Sequence, residues 1–289
     1  MEREPLRRSL RAELEAAGVR PTKSLGQNFL FDPNLARALV ADARVRRGDR
    51  VLEVGPGCGF LTAPLAELGV ELICVEIDPR LLAVTRRRLG DPPSVRFLLG
   101  DVLDGKRSLS AAVDEALWKE GDWHLVANLP YAISGPLVVL LATRANPPCS
   151  MTILVQGEVA DRLCAVPGEK AWGAPTARIR LRYSARPGRE VSADLFWPRP
   201  RVRSRVVRLE RLPGQAGPKE VLARFDRLVE VLFQRRRKML QAGLAAVLAD
   251  RAAALRALER AGIDPTLRPE ALAPEELLRL AQVLPSLGE

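Results

Sequence analysis

The stretch Arg50–Gly59 constrains this chain more than any other. Arg50 to Val54 is a short apolar run of the kind that forms a fully buried strand. It leads into Glu53-Val54-Gly55-Pro56-Gly57-Cys58-Gly59, and Phe60 to Leu68 then has helical spacing. Glycines let the backbone turn sharply and approach a ligand closely, and the helix N-terminus behind them favours polar or anionic groups. Strand, glycine loop and helix in that order predict an α/β unit. The G-x-G-x-G spacing differs from the G-x-G-x-x-G of dinucleotide-binding folds, which argues against a nicotinamide oxidoreductase.

Three further strand ends carry polar features. Glu71 to Val75 ends in Glu76-Ile77-Asp78, and an acidic residue about 20 positions after the glycines can hold both hydroxyls of a ribose. Val95 to Leu99 ends in Gly100-Asp101, where a carboxylate can meet an adenine amino group. Trp123 to Ala127 ends in Asn128-Leu129-Pro130-Tyr131. A strand stops there because proline cannot continue a central ladder, and the residue before proline is pushed to extended conformations. The Asn128 amide oxygen and the Leu129 carbonyl can then accept hydrogen bonds from an exocyclic amine while Tyr131 stacks on a planar base. Open α/β sheets bind ligands at such strand ends.

Elsewhere the spacing predicts a short helix over Ser9–Ala17, then a polar loop, Lys23-Ser24-Leu25-Gly26-Gln27-Asn28-Phe29-Leu30. That loop precedes the glycine unit and is a candidate lid. Asp32-Pro33 reads as a helix start for Asn34–Ala43. Ser134–Thr143 is expected to be helical, Met151–Gln156 a fifth strand, and Val159–Cys164 a short helix. Trp172, in the loop Ala171–Pro175, suits either a core position or an RNA-stacking one. Ala177–Ser184 alternates apolar and basic residues and reads as a strand with a basic face. Phe196-Trp197-Pro198-Arg199-Pro200-Arg201-Val202-Arg203-Ser204 is a proline-stiffened basic loop with aromatics, leading to a last strand, Arg205–Leu209. Pro213–Pro218 reads as a linker. Beyond it, Lys219–Phe233, Arg236–Asp250, Ala252–Ala261 and Pro274–Leu284 have helical periods. The expected fold is a Rossmann-like α/β sheet with helices on both faces, over residues 1–212 with a lead-in 1–25, followed by a small helical domain over 218–289.

Charge points to the partner. The 289 residues carry a formal net charge of +10, and between Arg178 and Arg211 eleven arginines face only Glu190, Asp194 and Glu210. Such an excess suits an anionic partner, and a stretch this unmixed in sign suits nucleic acid better than a membrane surface. Arg235-Arg236-Arg237-Lys238 is a second basic cluster, either a solvated helix end or a phosphate contact. No apolar run approaches the ~20 residues of a membrane span. The first 20 residues mix glutamates with arginines and lack the apolar core of a secretory signal, so a cytoplasmic protein is expected. Four cysteines without C-x-x-C spacing and a single histidine, His124, argue against a metal site.

Taken together, Lys23–Leu30, Glu53–Gly57, Val75–Asp78 and Asn128–Tyr131 resemble the ribosomal RNA adenine N6,N6-dimethyltransferase family. So do Phe196-x-Pro198-x-Pro200-x-Val202-x-Ser204, Phe233-Gln234-Arg235-Arg236-Arg237-Lys238 and Gly262-Ile263-Asp264-Pro265. The later motifs resemble the small-subunit, kasugamycin-sensitivity branch rather than the erythromycin-resistance branch that modifies large-subunit RNA. The resemblance implies transfer of methyl groups from S-adenosylmethionine to two adjacent adenines in the 3′-terminal hairpin of small-subunit rRNA, on a pre-30S subunit, by a monomer without a metal. It implies cofactor contacts from Asn28, Leu30, Gly55, Glu76, Asp101 and Asn128. Asn128, Leu129, Pro130 and Tyr131 would form the catalytic set, with Tyr131 and Phe196 holding the base. Two positions depart from the family pattern: Ala132 follows Tyr131 where many relatives have Asn, and Trp172-Gly173-Ala174-Pro175 replaces a more usual Tyr-Gly-x-Leu. Related proteins that bind nucleic acid with little catalysis are the remaining alternative, against which Glu76, Asp101 and Asn128 all argue.

Overall fold

A computed structural model describes residues 3–21, 26–105, 108–214 and 217–285, with the side chains of residues 3–7 left undescribed. Lys23, Ser24 and Leu25 of the candidate lid lie outside the described residues.

In chain order the elements are α1 (Arg3–Ala16), β1 (Phe29–Leu30), α2 (Pro33–Ala43), β2 (Arg50–Val54), α3 (Thr62–Leu68), β3 (Glu71–Glu76) and α4 (Pro79–Leu89). Next come β4 (Val95–Leu99), β5 (Leu103–Asp104), β6 (Ser108–Leu109), α5 (Ala111–Ala116), β7 (His124–Asn128), α6 (Ser134–Thr143) and β8 (Ser150–Gln156). Then follow α7 (Gly157–Cys164), α8 (Ala174–Arg182), β9 (Tyr183–Val191), β10 (Phe196–Trp197) and β11 (Ser204–Arg211). The chain ends with α9 (Lys219–Gln234), α10 (Leu240–Leu248), α11 (Arg251–Ala261) and α12 (Pro274–Val283).

Two compact units share these elements: Met1–Ala160 with Ala185–Arg211, and Asp161–Ser184 with Leu212–Glu289. The first holds a seven-stranded sheet in the order β4-β3-β2-β7-β8-β11-β9. β4, β3, β2, β7 and β8 run parallel, and β11 is antiparallel to β8. β2 has both β3 and β7 as neighbours, so the chain's winding direction reverses between β2 and β7. A crevice opens at such a switch point, beyond the carboxyl ends of the strands. β2 and β3 are almost wholly buried because helices cover both faces of a parallel sheet. Asp32 caps α2, its carboxylate accepting from Leu35 N at 2.8 Å, with Pro33 in the first turn. Asp78 caps α4 in the same way through Arg80 N, 2.9 Å. The core beneath these helices includes Leu14, Phe31, Leu39, Leu65 and Leu72, all at most 1% exposed.

Two expectations are corrected in this region. Ala177–Ser184 is not a strand: α8 occupies Ala174–Arg182, and β9 begins only at Tyr183. Ala177 and Leu181, four apart, fall on one side of that helix and are buried with Trp172, Phe225 and Leu228. Pro187 is then accommodated because β9 is an edge strand. The first domain is also not continuous to residue 212. Residues 161–184 belong to the helical unit, because the apolar residues of that segment complete its core.

The second unit is helical by long-range packing rather than by local signals alone. Phe225, Leu228 and Leu232 of α9, Leu244 of α10, Leu258 of α11, and Leu277 and Leu280 of α12 are at most 1% exposed. Trp172, at 1% exposure, is a core residue here. The predicted helix Arg236–Asp250 starts later, at Leu240. Arg235–Lys238 form a turn, in which Arg236 donates to Glu270 at 3.0 Å.

Candidate active site

The carboxyl ends of β2, β3, β4 and β7 converge on one cavity of about 1080 Å³, its open mouth included. Gly55 turns the chain out of β2 with φ +72°. A side chain there would meet the Pro130 ring at 3.1 Å, so only glycine lets the two loops approach this closely. Glu76, at the end of β3, is 4% exposed. Its Oε2 accepts from Gly57 N at 3.2 Å and its Oε1 from Asp78 N at 3.1 Å. Burial pushes the Glu76 carboxyl above its ordinary range, and those backbone donors pull part of the way back. Gly100 N donates to Glu76 O at 2.9 Å, drawing the end of β4 alongside β3. Asp101 is exposed at the rim, with Oδ1 accepting from Leu103 N at 2.9 Å.

On the opposite wall is the segment that was expected to act as a lid. Asn28 Nδ2 donates to Gly26 O at 3.2 Å, which curls this segment on itself. The backbone carbonyl of Asn28 accepts from Asn128 Nδ2 at 3.2 Å. The other end of that amide, Asn128 Oδ1, is buried and has no hydrogen-bond partner among the described residues. Leu129 is anchored by its own N–H, which bonds Leu154 O at 3.1 Å. The Tyr131 hydroxyl is 2.7 Å from Ser204 Oγ, and burial raises its pKa.

Asn28, Leu30, Gly55, Glu76, Asp101, Asn128, Leu129, Pro130 and Tyr131 thus all line the same cavity. Phe196 does not. Its ring is 4% exposed, and β10 pairs antiparallel with β1, Phe196 opposite Leu30 and Trp197 opposite Phe29. In this geometry Phe196 backs the lid rather than facing Tyr131 across a base. The ring is claimed by the core because its backbone is laddered to a segment that is itself buried.

Glu53 lines the cavity too and was not singled out in the sequence. It is 1% exposed, and desolvation pushes its pKa up to about 8, so the group is mainly protonated at neutral pH. A lone acidic residue inside an apolar strand is the signal that marks it. Ser204 closes both the basic loop and the family-like motif Phe196-x-Pro198-x-Pro200-x-Val202-x-Ser204, with nothing in the sequence to indicate its tyrosine partner. Cys58 also faces the cavity, but burial raises its thiol to about 12, which makes it a poor nucleophile. His124 is at the other end of β7 from Asn128, where its Nδ1 meets Ser150 Oγ at 2.8 Å. Among the described residues no three metal-ligating side chains cluster.

An unpaired buried amide oxygen, a glycine turn and carboxyls at two adjacent strand ends thus line one cavity rich in hydrogen-bond acceptors. Residues 19–285 match the family described as ribosomal RNA adenine dimethylase. The chain is 41% identical to the ribosomal RNA small subunit methyltransferase A of Leifsonia xyli, over 92% of this chain and 94% of the relative. It is 38% identical to that of Cutibacterium acnes, over 97% and 94%. Among solved structures, a dimethyladenosine transferase from Plasmodium falciparum shares the fold, with a TM-score of 0.72 and 22% identity over 87% of this chain and 95% of that one. The 23S rRNA methyltransferase ErmE superposes with a TM-score of 0.66 and 27% identity, over 89% and 99%. A match to the family over nearly its whole length, and relatives near 40% identity along almost all of theirs, leave one conclusion: this chain belongs to the ribosomal RNA adenine dimethylase family.

Proposed function

We propose that this protein transfers methyl groups from S-adenosylmethionine to N6 of two adjacent adenosines in the 3′-terminal hairpin of small-subunit rRNA. The product is dimethyladenosine, made on a pre-30S particle late in assembly, by a monomer acting in the cytoplasm. The observation that carries this reading is Asn128 Oδ1, buried and without a partner while the other end of the amide is held by Asn28. A buried acceptor left unpaired costs about 1–3 kcal/mol, and an incoming N–H donor removes that cost. The relatives named for small-subunit rRNA favour that substrate over the large-subunit alternative.

The residues fit the cofactor. Gly55 would lie against its amino-acid part, Glu76 on the ribose and Asp101 on the adenine, with Asn28 and Leu30 on the lid side. S-adenosylmethionine supplies a methyl group on a sulfonium, whose departure as a neutral thioether calls for no strong base. The chain's own task is to make a poor nucleophile better. The lone pair of an adenine N6 is delocalised into the ring. In the first transfer, acceptance of its two N–H bonds by Asn128 Oδ1 and the Leu129 carbonyl favours a pyramidal nitrogen with a localised lone pair. In the second a single N–H is left for those acceptors, and each new N–C bond is balanced by release of one N6 proton to solvent. Tyr131 stacks on the flipped base, whose unstacking costs a few kcal/mol and less in a loop. Alignment of the amine with the methyl group supplies most of the acceleration.

The test is transfer of labelled methyl groups to small subunits isolated from cells that lack the modification, with the modified nucleosides identified by mass spectrometry. Dimethyladenosine confined to the 3′-terminal hairpin is the expected result. Label appearing in large-subunit RNA instead moves the protein to the resistance branch. No transfer to either, with cofactor still bound, makes it a binding protein.

A further inference from the structure

Tyr131 and Ser204 lie 73 positions apart, yet their hydroxyls meet at 2.7 Å. The proposed mechanism uses the face of the Tyr131 ring and leaves its hydroxyl without a task. Phenylalanine would stack on adenine as well. Ser204 is fully buried and opens β11 opposite Gln156. The carbonyl before it, that of Arg203, accepts from Gly157 N at 2.9 Å, so the serine hydroxyl is presented from a fixed strand end. Immediately upstream, Arg199, Arg201 and Arg203 are exposed. Arg199 pairs with Asp194 at 3.0 Å and Arg203 with Glu190 at 3.5 Å, the two arginine side chains 71% and 83% exposed. Pairs this open contribute little, so both guanidiniums can exchange their carboxylates for phosphates.

We infer that Ser204 is a positioning residue for methyl transfer: its hydroxyl sets the plane of the Tyr131 ring against the target base, at the point where the arginine-bearing loop Pro198–Arg203 enters the sheet. The inference rests on the reading of Tyr131 as the base-stacking ring. A ring held only at Cβ can rotate and tilt, whereas one tethered at its far end presents a single face to the base. The same strand end fixes the loop, so base and RNA backbone are registered against one rigid element.

Four variants test this: Ser204→Ala, Ser204→Thr, Tyr131→Phe and the double Ser204→Ala/Tyr131→Phe. Each is assayed for kcat and KM on undermethylated small subunits and for S-adenosylmethionine affinity. Loss of ring alignment is expected to lower kcat roughly 10-fold in Ser204→Ala and equally in Tyr131→Phe, with cofactor affinity unchanged. The double variant should be no worse than either single one, and Ser204→Thr, which keeps a hydroxyl, should recover most of the rate. A Ser204→Ala enzyme within twofold of wild-type kcat overturns the inference. So do losses that multiply in the double variant, or a fall in cofactor affinity that accounts for the whole effect. Tyr131→Ala separates the two levels. Full activity in that variant overturns the base-stacking reading itself, whereas inactivity there beside a normal Ser204→Ala overturns only the role of Ser204.

Discussion

The side chain of Asn128 is held from behind: its Nδ2 donates to the backbone carbonyl of Asn28 at 3.2 Å, a hundred positions earlier in the chain. That bond fixes which end of the amide is left without a partner. The oxygen remains as the acceptor, the end that the proposed adenine amine would meet. Asn128→Ala removes both ends, and methyl transfer is expected to fall by at least about 10²-fold, the scale of losing one preorganised polar group at a reacting centre. S-adenosylmethionine affinity, measured by calorimetry, should change far less. Near-normal dimethylation by this variant would remove Asn128 from the mechanism.

Gly26 makes the same relationship testable from the lid. Its φ is +62°, and a Cβ there would stand 3.1 Å from the backbone nitrogens of both Tyr131 and Ala132. Gly26→Val is therefore strained twice, in its own backbone and against the active-site loop. The lid should be pushed off that loop, weakening cofactor binding and lowering kcat together, a pair of effects that equilibrium titration and steady-state kinetics read separately. Unchanged values of both would show that the lid does not rest on Tyr131 and Ala132 in solution.

Glu53 predicts a pH effect on stability. Burial raises its pKa to about 8 from an unfolded value of 4.5. Between those values the unfolded chain has released this proton and the folded chain has kept it. Stability is therefore fully present below pH 4.5 and declines as pH rises towards 8, by about 1.4 kcal/mol per pH unit at most from this group. Glu76, also raised by burial, acts with the same sign. The melting temperature of Glu53→Gln should fall less between pH 5 and pH 8 than that of the wild type. Parallel curves would place the titration elsewhere.

Trp172 tests the core of the helical unit. Trp172→Ala removes a side chain that is 1% exposed and should cost about 3–5 kcal/mol, visible in denaturant unfolding. Its Nε1 has no hydrogen-bond partner among the described residues, so Trp172→Phe leaves no orphaned group behind and should cost clearly less. Equal losses from both would mean the indole nitrogen is satisfied.

RNA affinity should fall steeply with salt, log K losing about 0.7 to 0.9 per phosphate contact per log unit of salt. Substituting Arg199, Arg201 and Arg203 by alanine together is expected to flatten that slope as well as weaken binding. A slope that is flat in the parent protein would rule out phosphate contacts by these arginines.

The cavity was legible in the sequence because its parts announce themselves locally. Glycines after an apolar run, acids at the ends of two later strands, and a proline that halts a fourth each obey short-range rules, and all of them line one cavity. What escaped depended on partners distant in the chain. The alternation from Ala177 to Arg182 fits a strand or a short helix equally, and packing with Phe225 and Leu228 decided for the helix. The family resemblance implies that Phe196 holds the base with Tyr131. Its pairing with Leu30, across more than half the chain, buries it instead. Tyr131 and Ser204 were each named for other reasons, and no local pattern joins them.

The two-residue pairing of β1 with β10 has a thermodynamic corollary. Phe29–Leu30 belongs to the wall of the cofactor cavity, and Phe196–Trp197 to the root of the arginine loop. Were a ligand at either end to order this pairing, linkage would require the two ligands to change each other's affinity by the same factor.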